Sequence, residues 1–283
     1  MKIENCKLKI AFVGTPEFGS IVLEGLINAG YKPVLVITAP DKPVGRKQII
    51  TPSLVKITAQ NYKIKIGDRI SNIMESGPVD LIIVAAYGQI LPKNILDIPK
   101  YGCLNIHPSL LPKYRGPSPI QATILNGDAE IGVSIVKMTE KLDAGPIVAK
   151  SKIQNPKSKI TYTELHDQLA DLGAKLLSKT IPDWITGKIK PQAQDESKAT
   201  YTKIIKKEDG RIDWKNTPEY IERQVLALNP WPGTYTLYKG KILKILKIEI
   251  INNKLIIKEV QPEGKKPMSF EDFLRGHQDY VNS

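Results

Sequence analysis

Cys103-Leu104-Asn105-Ile106-His107-Pro108-Ser109-Leu110-Leu111-Pro112-Lys113-Tyr114-Arg115-Gly116 is the stretch whose residue types and spacing could do chemistry. Asn105 offers a neutral amide N–H to a developing oxyanion, and His107 is of the side-chain type that titrates nearest neutrality and moves protons. In an extended strand successive side chains alternate faces, so these two residues point to the same side and can act on one substrate. Pro108 holds the residue before it extended and cannot continue a central strand, which puts the pair at the strand's carboxyl end. In an open α/β sheet that end is where ligands bind. The expected partner is Asp143, in Glu140-Lys141-Leu142-Asp143-Ala144-Gly145. A carboxylate there would favour the imidazolium, orient the ring or relay a proton through water, and the sequence leaves the three open.

These residues need a scaffold, and the chain reads as one that alternates strands and helices. Residues 8–13 form a buried strand, and Gly14-Thr15-Pro16-Glu17 starts a helix with Thr15 as N-cap and Pro16 at the first helical position. Phe18, Ile21, Val22, Leu26 and Ile27 give that helix its apolar face. The turn lacks the later glycines of a dinucleotide fingerprint, and Glu17 sets a negative charge where a pyrophosphate would bind, so no nicotinamide or flavin is expected there. Residues 34–38 make a second strand. The following stretch, 39–48, carries two prolines, a glycine and three cations and reads as an exposed, mobile, positive loop with no helix before about Pro52. It is either a solvated connector or a basic finger that orders on an RNA backbone.

Residues 79–86 are a nearly continuous apolar run, as in a parallel strand covered on both faces. At its end Tyr87, Ile90 and Leu91 would wall an apolar slot, with Gly88 permitting close approach of a flat ligand. Two more strands fall at 131–138 and 146–153, and a long helix at 161–186 carries His166 with no paired ligand, hence a structural histidine.

At 283 residues two domains are expected, and 41% hydrophobic with 25% charged residues excludes disordered and collagen-like classes. The divisions are 1–189, a polar linker at 190–203, and 204–283. The last holds a short helix at 218–228 and alternating segments at 234–237, 242–251 and 254–260, as in a small β-barrel with no catalytic set. The fold class is therefore α/β: a Rossmann-like, mostly parallel sheet with flanking helices, plus a small OB-like barrel. A formal charge of +12 would draw a polyanion, or merely reflect a lysine-rich solvated surface. Two cysteines, Cys6 and Cys103, make neither a disulfide framework nor a metal cluster. With no signal-peptide core and no run of about 20 apolar residues, a soluble cytoplasmic protein is expected.

Taken together, Gly14-Thr15-Pro16-Glu17-Phe18, Pro40-Asp41-Lys42-Pro43-Val44-Gly45-Arg46, Ala86-Tyr87-Gly88-Gln89-Ile90-Leu91-Pro92, Asn105-Ile106-His107-Pro108-Ser109-Leu110-Leu111-Pro112, Arg115-Gly116, Leu142-Asp143-Ala144-Gly145, Asn229-Pro230-Trp231-Pro232-Gly233 and Glu263-Gly264-Lys265-Lys266-Pro267-Met268 resemble the methionyl-tRNA formyltransferase family over nearly the whole chain. The resemblance implies formyl transfer from 10-formyltetrahydrofolate to the amino group of methionyl initiator tRNA, with Asn105, His107 and Asp143 catalytic and no metal. It implies folate contacts at Ser109, Leu110, Leu111 and Pro112, to which the slot residues Tyr87, Gly88, Gln89, Ile90 and Leu91 are added. The loop with Lys42, Arg46 and Lys47 would reach the tRNA acceptor end. Lys203, Lys206 and Lys207 would face a phosphate backbone or simply keep strand edges from aggregating. The chain is expected to act as a monomer. An alternative keeps the folate site but takes an amino group on a nucleotide-linked sugar.

Overall fold

Isoleucine, alanine, phenylalanine, valine and glycine in succession make β1 (Ile10–Gly14), a strand buried along its whole length. Only a strand covered on both faces tolerates that sequence. The computed structural model describes residues 8–45, 47–154, 159–278 and 280. It divides into two units, Met1–Pro117 with Ile131–Ile153 and His166–Tyr201, and Ser118–Glu130 with Gln154–Leu165 and Thr202–Ser283.

In the first unit β1 leads to α1 (Glu17–Asn28), β2 (Leu35–Ile37), β3 (Lys42–Val44), β4 (Ile49–Thr51), α2 (Leu54–Asn61), β5 (Lys65–Gly67), α3 (Asn72–Glu75), β6 (Leu81–Ala85), α4 (Lys93–Leu96) and β7 (Cys103–His107). After α5 (Pro119–Asn126), which belongs to the second unit, come β8 (Glu130–Lys137), β9 (Ile147–Gln154) and α6 (Tyr162–Ile185). Among the described residues the central sheet has seven strands in the order β5-β2-β1-β6-β7-β8-β9. β5, β2, β1, β6 and β7 run parallel to one another, and β8 pairs antiparallel with β7, His107 lying opposite Ser134. The mostly parallel sheet expected from the sequence is therefore present.

Alternate residues of these strands fill one side of the sheet: Ala11, Val13, Leu35, Ile37, Ile82, Val84 and Cys103 join Ile73, Tyr87, Leu91 and Ile95 in one cluster. Glycines set how closely the helices approach. A Cβ at Gly19 would sit 2.8 Å from the carbonyl oxygen of Ala85, and one at Gly25 2.6 Å from the Cβ of Ala174, so α1 lies against β6 and α6. His166 stacks edge-on to Phe18 and meets Asp167 at 2.8 Å through Nδ1, a structural histidine as expected.

Three expectations are corrected. Thr15 is not the N-cap of α1: Pro16 holds that place without a capping side chain, and the Thr15 hydroxyl instead accepts from the Ala39 N–H. The stretch at 39–48 is not a bare loop. It contributes the antiparallel β3–β4 hairpin, with Val44 facing Ile49 in register, and α2 then starts after Ser53, whose hydroxyl accepts from the Lys56 N–H. Residues 190–203 are fastened rather than loose. Gln192 bridges Ile147 and Tyr201 bridges Arg115, and the chain as far as Tyr201 belongs to the first unit.

The second unit is built on α7 (Pro218–Leu228), β10 (Thr234–Tyr238), β11 (Lys241–Ile251), β12 (Lys254–Pro262), β13 (Met268–Ser269) and α8 (Phe270–Gly276). Thr217 caps α7, accepting from Tyr220, with Pro218 following at the first turn as helix starts favour. The four strands form an antiparallel sheet in chain order, with the β11–β12 register shifting around Lys247. Arg211 adds a parallel bridge to Tyr235. Ile221, Val225, Leu243, Ile245, Ile257, Val260 and Phe273 make its core. This is the small barrel-type domain that the alternating pattern announced. No described helix is long and apolar enough to cross a membrane.

Candidate active site

β7 stops at His107, where Pro108 ends the ladder, and its last residues meet the loop that follows β8. Asn105 donates from Nδ2 to Asp143 Oδ1 at 3.2 Å, and His107 Nδ1 lies 3.6 Å from Asp143 Oδ2. The same Oδ2 accepts the backbone N–H of Gly116 at 2.8 Å. His107 and Asp143 are almost enclosed, their side chains 5% and 11% exposed, while Asn105 is half-buried.

The other ring nitrogen of His107 is 2.9 Å from the carbonyl oxygen of Tyr114. A carbonyl only accepts, so Nε2 carries a proton and donates, which leaves Nδ1 as the nitrogen facing the carboxylate. Tyr114 presents that carbonyl from φ +63°, a left-handed conformation uncommon outside glycine, and its own N–H donates to Thr200 Oγ1 at 2.8 Å. Asp143 itself sits at φ +47°. Two backbone positions in sparsely populated conformations beside one imidazole are the kind of local cost that folds retain at working sites.

Asn105, His107 and Asp143 are thus brought to one point. The stretch expected to bind folate is divided. Tyr87, Leu91 and Leu111 are core side chains, with Leu111 wholly buried, whereas Gly88, Gln89 and Ile90 are exposed. Ser109 is buried and donates to the Lys113 carbonyl at 2.6 Å. Ser134 accepts from the Leu111 N–H and donates to the Ser109 carbonyl, and Lys150 donates to the Leu111 carbonyl, so side chains from β8 and β9 hold the 109–112 turn by its backbone. Leu110 and Pro112 are half-buried.

Of the expected RNA contacts, Lys42 and Lys47 are exposed on the β3–β4 hairpin, and Arg46 lies outside the described residues. Lys206 and Lys207 are exposed, but Lys203 is paired with Asp209 at 2.9 Å, and that pairing keeps the Asp209 carboxyl below its ordinary range. Reasoning from the sequence missed four neighbours of this cluster: Tyr114 and Gly116, which meet it through backbone atoms, Thr200, and Gln194, whose side-chain amide donates to the Asp143 carbonyl, the last two from the segment read as a linker. A backbone donor leaves no mark in residue type. Arg115 gave no signal by itself, because the burial that makes its guanidinium demand acceptors arranged as a fork shows only in the fold.

The class of protein follows from the family match. Residues 8–181 match the formyl transferase family and residues 204–256 the formyl transferase C-terminal domain. Methionyl-tRNA formyltransferases of Bacillus velezensis and Bacillus subtilis are 44% and 42% identical to this sequence, over 95% of this chain and 94% of each relative. The chain belongs to the methionyl-tRNA formyltransferase family. Among solved structures, a methionyl-tRNA formyltransferase from Clostridium thermocellum aligns with TM-score 0.59 at 19% identity, covering 90% of this chain and 98% of the other. An N-formyltransferase from Helicobacter canadensis in complex with folinic acid and dTDP-3-aminofucose aligns with TM-score 0.65 at 19% identity, over 93% of this chain and 98% of the other. Both likenesses concern the fold.

Proposed function

We propose that this chain transfers the formyl group of 10-formyltetrahydrofolate to the amino group of the methionine esterified to initiator tRNA, giving N-formylmethionyl-tRNA. The observation that carries the proposal is the meeting of Asn105, His107 and Asp143 at the carboxyl end of β7, in a chain 44% identical to a methionyl-tRNA formyltransferase along almost its full length. The methionyl nitrogen attacks the formyl carbon, a C–N bond forms, and the carbonyl oxygen becomes an oxyanion. Asn105 has two amide N–H groups. One is given to Asp143, and the other is available to the oxyanion. The amine must lose a proton, and His107 Nδ1 and the Asp143 carboxylate together form the acceptor. Breaking the bond to the folate nitrogen then completes transfer, with that nitrogen taking a proton back. The donor carries an activated formyl group, so these residues need only place it and handle charge.

The exposed Gly88–Gln89–Ile90 segment, Ser109, Leu110 and Pro112 are the folate contacts in this proposal, while Tyr87, Leu91 and Leu111 shape the floor from within the core. Lys42, Arg46 and Lys47 serve the acceptor end of the tRNA, and Lys206 and Lys207 its backbone. The enzyme works in the cytoplasm as a monomer. The test is formylation of charged initiator tRNA by the purified protein with 10-formyltetrahydrofolate, run beside an amino-sugar nucleotide. Activity confined to the sugar would overturn the proposed acceptor. His107→Ala and Asp143→Ala are each expected to lower kcat about 100-fold to 1,000-fold, with tRNA affinity held within a few-fold. Arg46→Ala should do the reverse and raise KM for tRNA; unchanged kinetics would remove the loop from the tRNA site.

A further inference from the structure

Arg115 is only 1% exposed, yet it carries a charge and a full set of donors. Its Nε and Nη2 donate to Gln194 Oε1 at 3.1 and 2.9 Å, and Nη1 and Nη2 donate to the Glu196 carboxylate at 2.9 and 2.8 Å. Nη1 also donates to the Tyr201 hydroxyl at 3.1 Å. Because the guanidinium can only donate, the Gln194 oxygen must face it, and the amide nitrogen is turned the other way. That nitrogen donates to two carbonyls, those of Asp143 and Gly145, both at 2.7 Å. The residue after Arg115, Gly116, gives its N–H to the Asp143 carboxylate at 2.8 Å. One buried arginine therefore orients an amide that grips the backbone of Asp143, while its neighbour in sequence grips the side chain.

We infer that Gln194 is a positioning residue for Asp143. It fixes the left-handed turn that delivers the carboxylate to Asn105 and His107, and Arg115 fixes Gln194. Nothing in the chemistry requires Gln194 to touch substrate. The inference rests on Asp143 belonging to the catalytic set, so its test must separate the two.

Two substitutions distinguish orientation from mere packing. Gln194→Glu keeps an oxygen for Arg115 and adds a charge attraction to it, but places an acceptor against the Asp143 and Gly145 carbonyls. Gln194→Met keeps the volume and removes both functions. If Gln194 acts by holding Asp143, both variants lower kcat about 10-fold to 100-fold in single-turnover formylation while KM for tRNA and folate stays within about twofold, since displacement of a reacting group costs rate rather than binding. On an Asp143→Asn background the same changes should lower the residual rate less than about threefold, because the residue they serve is already disabled. Wild-type kcat in Gln194→Glu would overturn the inference, as would losses that multiply in full with Asp143→Asn. Wild-type kcat in Asp143→Asn alone would instead overturn the catalytic assignment of Asp143. Gln194→Glu retains the Arg115 pairing that ties the segment down, so it keeps the comparison valid even where Gln194→Met melts.

Discussion

At the scale of single residues, close approach and burial fix what this site tolerates. A Cβ at Gly145 would stand 1.9 Å from the carbonyl oxygen of Lys137, so Gly145→Ala must push apart the end of β8 and the loop that carries Asp143. Thermal unfolding should show a loss of about 1–3 kcal/mol, and formylation should slow with it. Cys103 illustrates the other effect: burial in the sheet pushes its thiol up to about 12, far from the thiolate needed for reaction. Iodoacetamide at pH 8 should leave Cys103 unmodified in the native protein and alkylate it in urea, as peptide mass mapping would record. Asn105 and His107 were legible as a pair because a period of two and a following proline settle their side and their end of the strand. Asp143 was expected as their partner and drew its catalytic role from the resemblance of its loop to a family, and its contact with the pair became visible only in three dimensions. Gln194 was illegible, for its role depends on an arginine 79 positions away in sequence.

At the scale of elements, apolar runs gave the strands and one face gave each long helix. The helix expected at 161–186 is observed at Tyr162–Ile185, and that expected at 218–228 at Pro218–Leu228. What composition hid was competition between local and distant partners. Thr15 has the chemistry of a cap but spends its hydroxyl on Ala39, and the proline-rich stretch after β2 holds a hairpin because Gly45 and Gln48 adopt the left-handed conformations of a tight turn, φ +70° and +50°. The seam between α1 and α6 offers a direct check. Gly25→Ala introduces a Cβ 2.6 Å from that of Ala174, whereas exchanging the two, Gly25→Ala with Ala174→Gly, restores the gap. In urea unfolding the single change should destabilise by about 1–3 kcal/mol, and the exchanged pair should recover most of it.

At the scale of the whole molecule, the charge of +12 suits a polyanionic substrate, and its effect should depend on ionic strength. Binding of tRNA is expected to weaken linearly in log–log terms as salt rises, with Lys206→Ala and Lys207→Ala together flattening the slope by about one to two. Stability should respond to acid through the ion pair of Arg115 and Glu196. The hydrogen bond from Arg115 holds the Glu196 carboxyl below the usual value of about 4.3, so the pair's contribution is complete above that value and lost as pH falls through the lowered one. Glu196→Gln should accordingly be less stable than the parent at neutral pH, with the gap closing toward pH 3 in thermal melts.

The path of residues 190–201 bears on how such proteins can be recombined. The family's amino-terminal match ends at residue 181, yet the amide beneath Asp143 arrives at residue 194. A fragment cut at the match would keep every residue proposed to handle the reacting atoms and is still expected to work poorly, and any exchange of carboxyl-terminal modules between relatives should graft beyond Tyr201 rather than before Lys190.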